Sequence, residues 1–129
     1  DLLAESDFVV VCAPETPETR GLFNAERFSR MKQGAYFINI GRGRVVLLDP
    51  LVQALEAGHL AGAALDVFEV EPLVSDHPLW GMPNVILTPH TAGVGSHEED
   101  RRYEVLLENV KRFVSGQPLH NVVDKHGGY

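Results

Sequence analysis

Ala35-Tyr36-Phe37-Ile38-Asn39-Ile40-Gly41-Arg42-Gly43 is the stretch that decides how the rest of the chain is read. A short apolar strand, residues 35–40, runs straight into an arginine with a glycine on each side. Two later segments are built the same way. Residues 60–65 run into Asp66 and then Glu71-Pro72, and Asn84-Val85-Ile86-Leu87 runs into Thr88-Pro89-His90. Upstream, Phe8-Val9-Val10-Val11-Cys12 is an unbroken run of the kind found in parallel-sheet strands buried on both faces. In an open α/β sheet, ligands bind outside the carboxyl ends of the strands. An arginine, a glutamate and a histidine delivered there by successive strands are therefore candidates for one active site.

Helices fall between the strands. Asn24 is a capping residue for a short helix over 25–31 that ends at Lys32-Gln33-Gly34. Asp49-Pro50 predicts a helix start, with Asp49 as cap and Pro50 in the first helical position, and Gly58 a left-handed stop. Residues 67–83 read as a long irregular loop, a length often tied to function. Ser96-His97-Glu98-Glu99 has the spacing of a capping box before a helix over 97–114, with Val105, Leu106, Val110, Phe113 and Val114 near one face. A tail over 119–129 is expected to dock on something outside this chain. Alternation of this kind implies right-handed parallel crossovers in a doubly wound α/β sheet. Residues 1–95 are read as half of a nucleotide-binding domain and 96–129 as a crossover helix and tail. The strands are fewer than the usual six of a dinucleotide fold, and G-x-G-x-x-G is absent, since Gly41-Arg42-Gly43 is followed by Val46. The chain opens as if on the tail of a helix and without Met, so a fragment of a longer protein is expected.

Composition narrows the function classes. The 129 residues carry 44% apolar and 22% charged side chains and a net charge of −7. That balance argues against non-specific nucleic-acid or anionic-membrane binding, and no apolar run approaches the roughly 20 residues of a membrane span. The single cysteine, Cys12, excludes an internal disulfide and fits a reducing cytoplasm. No histidine pair has metal-ligand spacing, so no metal is expected. The serines lack a nucleophile-elbow context.

Each candidate has a plain structural alternative. Arg42 suits bidentate binding of a carboxylate, or is a surface arginine in a turn, as Arg44 is read to be. His90, fixed between Pro89 and Gly93, suits proton transfer near neutral pH, although a lone histidine is more often structural. Glu71 would orient an imidazole and stabilise its protonated form. Glu69 competes for that role, and either could simply be solvated. Asp66 could hold a polar group of a cofactor or act as a cap.

Taken together, residues 14–22, 31–35, 38–43, 62–68 and 83–90 resemble, in order, the second half of a D-2-hydroxyacid dehydrogenase of the D-isomer-specific family, within it the glyoxylate/hydroxypyruvate reductase-like members. The resemblance runs from Leu2 to about Asp124. It implies Arg42 as binder of the substrate carboxylate and carbonyl, His90 as acid/base and Glu71 as its partner. It implies NAD or NADP, with Cys12, Ala13, Pro14 and Thr19 near the adenosine and phosphate region and Ile40, Gly41, Asp66, His90 and Gly93 near the nicotinamide. Its implied substrate is a small 2-oxo acid, reduced to the D-2-hydroxy acid. It also implies a homodimer in the complete protein, a last helix that returns to a substrate domain, and an inactive isolated fragment. A nucleotide-sensing, corepressor-like binding protein of the same fold is the alternative. Leu47 departs from the pattern, since many members carry an acidic residue there; altered packing and unaltered chemistry are expected.

Overall fold

The computed structural model describes residues 1–127, which form two compact units, residues 1–92 and the residues from Gly93 onward. In the first, β1 (Phe8–Val11), β2 (Tyr36–Asn39), β3 (Gly62–Leu65) and β4 (Val85–Leu87) lie side by side in sequence order, all parallel. The register sets Val11 against Asn39, Asn39 against Leu65 and Leu65 against Leu87. The four strands therefore end together, and the segments that follow them share one rim.

Helix α1 (Leu2–Glu5) precedes β1, and α2 (Ala25–Arg30) and α3 (Leu48–Glu56) lie between the strands. Asn24 caps α2 as predicted, its side chain accepting from the Arg27 N–H at 3.1 Å. Phe28 of α2 meets Phe37 of β2 edge-on at 5.1 Å between ring centres, and Phe23 lies 4.9 Å from Phe37. Leu51, Val52 and Leu55 of α3 join the same core with Val9, Val11, Ala63 and Leu65 from the strands. Full burial of an aromatic or aliphatic side chain contributes about 1.5–3 kcal/mol, so this layer supplies most of the unit's cohesion.

Burial of β1 on both faces is not what the unit shows. Val9 and Val11 are buried while Phe8 is 62% exposed and Val10 50%. Strands joined in sequential order by right-handed crossovers send their helices to one side, so the second face of this unit is uncovered. Phe8 and Tyr36 stack there at 5.2 Å.

Helix α3 starts differently from the prediction. Asp49 and Pro50 lie inside its first turn, and Leu47, whose side chain accepts nothing, occupies the cap position. The missing acceptor comes from across the loop, because Glu69 Oε2 accepts from the Leu48 N–H at 2.9 Å. A carboxylate at a helix N-terminus satisfies an orphan donor and meets the positive end of the macrodipole. Gly58, at φ 66°, follows the helix and ends it as expected. The long loop contains a 3-10 turn, Pro78–Gly81.

The second unit is built on α4 (Glu98–Val114). Its cap position is His97, without a side-chain bond, so the capping box predicted on Ser96 does not form. The acidic first turn (Glu98, Glu99, Asp100) and basic last turn (Lys111, Arg112) complement the macrodipole instead. Ion pairs Glu98–Arg102 and Glu108–Arg112 lie one turn apart. Within this unit Leu106, Val110, Phe113 and Val114 are exposed. The start of the tail bonds back to the helix, with Asn109 exchanging two hydrogen bonds with the His120 backbone at 2.8 and 3.1 Å. Gly128 and Tyr129, the end of the tail expected to dock elsewhere, lie outside the described residues.

Candidate active site

Three of the four loops at the common rim of the first unit bear the catalytic candidates. The first, after β2, is shaped by Asn39, a polar residue only 1% exposed at the strand's last position. Its Oδ1 accepts from the Gly41 N–H at 3.1 Å and its Nδ2 donates to the Arg42 carbonyl at 3.2 Å. Arg42 thus sits on a turn tied down from beneath, its side chain exposed and Nη1 donating to the Gly41 carbonyl at 2.8 Å. Arg44 is exposed beside Glu15, at 3.8 Å, as a surface arginine would be.

The second loop, after β3, touches the first. A Cβ on Gly43 would lie 1.8 Å from the Phe68 carbonyl oxygen, so only glycine permits this approach. Phe68 donates its N–H to Glu71 Oε1 at 3.0 Å, and Glu71 Oε2 accepts from His90 Nδ1 at 2.7 Å. Glu71 is thereby the histidine's partner, and Glu69, committed to α3, is not.

The third loop carries His90, at φ 55°. A non-glycine residue held there needs fixed surroundings. Asp66, 4% exposed, supplies them. Its carboxylate accepts from the Thr88 hydroxyl and from the Thr91 and Ala92 N–H groups, both at 2.8 Å. Its carbonyl accepts from the His90 N–H at 2.8 Å. Burial pushes the Asp66 carboxyl up. The bonds from Thr88, Ala92 and Thr91, with the charge of His90, outweigh it and leave the group below its ordinary value. Glu71 behaves alike: burial raises it, and the His90 and Phe68 bonds and the His90 charge hold it lower, against a small upward push from Asp66. An ionised Glu71 only accepts, so Nδ1 carries the hydrogen of this pair and Nε2 is left for chemistry.

Beside His90 opens a cleft of about 590 Å³. Glu71, Thr88 and His90 form its polar side, and Phe68, Pro72, Leu73, Trp80, Leu87 and Pro89 its apolar wall. Trp80 is fixed by Nε1–H donation to the Val74 carbonyl at 2.9 Å. Arg42 is not among the cleft's walls. It stands on the same rim, on the turn after β2, where its neighbour Gly43 meets the backbone of the cleft residue Phe68.

The candidates after β1 and β2 lie at the rim's other end. Cys12 is exposed just after β1, and Ile40, 46% exposed, follows β2 with its N–H on the Val11 carbonyl at 3.2 Å. Gly41 packs on Ala13, and Thr19 Oγ1 donates to the Pro14 carbonyl at 2.7 Å, closing the loop over 14–19. Gly93 begins the second unit. Among the described residues, no group of three His, Cys, Asp or Glu side chains could hold a metal. Sequence reasoning overlooked Asn39, Phe68, Thr88 and Trp80. For Asn39 the signal was present, a lone amide inside an apolar strand. Phe68 acts through its main chain, Thr88 through its hydroxyl on Asp66 and Trp80 by lining the cleft, contacts that leave no pattern in sequence.

Comparison with known proteins adds the following. The family described as "D-isomer specific 2-hydroxyacid dehydrogenase, NAD binding domain" matches residues 1–92. Glyoxylate/hydroxypyruvate reductase B of Escherichia coli is 44% identical over 128 residues, covering 97% of this chain and 39% of that protein. A D-isomer specific 2-hydroxyacid dehydrogenase from Xanthobacter autotrophicus, crystallised with NADPH and MES, superposes with a TM-score of 0.91 at 50% identity, over 98% of this chain and 52% of that one. An NADPH-dependent glyoxylate/hydroxypyruvate reductase from Sinorhizobium meliloti, crystallised with NADP and sulfate, gives 0.90 at 42% identity, over 98% and 41%. The chain thus spans about two-fifths to a half of the length of these relatives.

Proposed function

The chain belongs to the D-isomer specific 2-hydroxyacid dehydrogenase family, and from that premise we propose that it forms the catalytic half of an NAD(P)H-dependent reductase of small 2-oxo acids of the glyoxylate or hydroxypyruvate type. The observation that carries the reading is the 2.7 Å His90–Glu71 pair on the rim that also bears Arg42. The named activities of the relatives favour it over the nucleotide-sensing alternative. In this proposal residues 1–95 complete a dinucleotide-binding domain and residues 96–129 return to a substrate domain. Homodimerisation and a cytoplasmic setting belong to the same proposal. Among the described residues no helix is long and apolar enough to cross a membrane.

The rim suits the nicotinamide side of a dinucleotide. Ile40 offers exposed apolar surface beside the bare backbone of Gly41, and Asp66 and Glu71 are both already bonded, so neither carboxylate is left without a donor. Cys12, Ala13, Pro14, Thr19, Ile40, Gly41, Asp66 and His90 are the residues proposed to hold it, with Gly93 added by the family resemblance. When bound, the cofactor supplies the hydride that the protein itself lacks. Arg42 binds the substrate carboxylate through its planar fork and stabilises negative charge growing on the carbonyl oxygen. His90 Nε2 gives its proton to that oxygen, while Glu71 keeps the ring oriented and stabilises its charged form. The apolar wall of the cleft excludes water beside the histidine.

Cofactor oxidation by the full-length enzyme tests this. Turnover with glyoxylate or hydroxypyruvate is expected, and none from residues 1–129 alone. No turnover with any 2-oxo acid, or full turnover by the isolated chain, would contradict the proposal.

A further inference from the structure

Asn39 is an amide at the end of an apolar strand, almost wholly buried, with both ends of its side chain used on one short turn. Burying an amide costs free energy unless its bonds are made. An aliphatic residue would fill the same place in the strand, as Val11 and Leu65 do at the matching register of the neighbouring strands. What an aliphatic residue could not do is hold Gly41 by its N–H and Arg42 by its carbonyl. We propose that Asn39 is a positioning residue, which fixes the backbone of Arg42 so that the guanidinium meets the substrate carboxylate.

Two further observations support the assignment. The Asn39 carbonyl accepts from the Asp66 N–H at 3.0 Å, and the Asp66 carbonyl accepts from the His90 N–H at 2.8 Å. These main-chain bonds join the end of β2, from which the arginine turn leaves, to Asp66 after β3 and on to the histidine loop after β4. Arg42 is exposed, and no side chain other than Asn39 hydrogen-bonds its main chain among the described residues. Without Asn39 the Gly41 N–H loses its side-chain acceptor, and the Arg42 carbonyl keeps the Val45 N–H at 3.2 Å.

The inference rests on the reading of Arg42 as carboxylate binder, and a double-mutant cycle in the full-length enzyme separates the two. Arg42→Gln should raise KM for glyoxylate strongly. Asn39→Ala should raise it by about tenfold or more, as expected for loss of a buried hydrogen-bonding partner, with a smaller change in the Kd for NADPH. The double variant should be no worse than Arg42→Gln, because Asn39 acts only through the arginine. Asn39→Asp covers the case in which the alanine variant does not fold. It keeps the acceptor for Gly41 but turns a carboxylate oxygen toward the Arg42 carbonyl. Its KM relative to wild type should fall as pH drops and the protonated acid can donate again, a profile that a merely structural role would not produce. If Arg42→Gln leaves KM unchanged, the functional reading and this inference fall together. If Arg42→Gln is damaging but Asn39→Ala is neutral or additive with it, or if the Asn39→Asp ratio does not move with pH, the positioning role alone is overturned.

Discussion

Asp66 holds the histidine loop in place. Its two carboxylate oxygens and its carbonyl receive four hydrogen bonds, from Thr88, Thr91, Ala92 and His90. They hold His90 at a backbone angle that its side chain alone would not favour. Because the folded-state carboxyls of Asp66 and Glu71 both lie below their ordinary values, each stabilises the fold above the ordinary carboxylate range. That contribution is lost as pH falls through the lowered folded values. Asp66→Asn should lower stability at neutral pH by about 1–3 kcal/mol, the usual cost of disturbing buried donors, and should flatten the acid side of the stability curve. Thermal unfolding followed between about pH 7 and pH 3 checks this, and a curve parallel to wild type would count against it. At this scale Arg42 and His90 were legible as candidates because each follows a strand end. The choice between Glu69 and Glu71 was not, because it depends on which carboxylate the uncapped N-terminus of α3 draws away.

At the scale of elements, the decisive contact is between turns. Gly43 lies against the Phe68 backbone, so the arginine loop and the glutamate loop fix each other. Gly43→Ala should therefore destabilise by about 1–3 kcal/mol or more as the backbones are forced apart. Gly81→Ala, where a Cβ meets nothing within 4 Å, should stay within about 0.5 kcal/mol. Urea unfolding of both variants makes the comparison, and equal losses would refute the contact's importance. Strand and helix order was readable from apolar runs and breakers. Helix starts were less so. Asp49-Pro50 and Ser96 carried the right residue types, yet α3 begins at Leu48 under a carboxylate from a distant loop, and α4 begins after His97. Caps supplied through space leave no local signature.

For the whole molecule, parallel pairing in sequence order brings residues 42, 71 and 90 to one rim. The same order explains the one-sided burial that the apolar run over 8–12 concealed, since composition cannot say which face a crossover covers. The proposed reduction of a 2-oxo acid requires proton transfer through His90 at this rim. The most direct test is His90→Ala in the full-length enzyme, with kcat for glyoxylate and the Kd for NADPH measured side by side. A fall in kcat of roughly 100- to 10,000-fold with cofactor binding largely intact is expected; turnover at the wild-type rate would remove His90 as the proton donor.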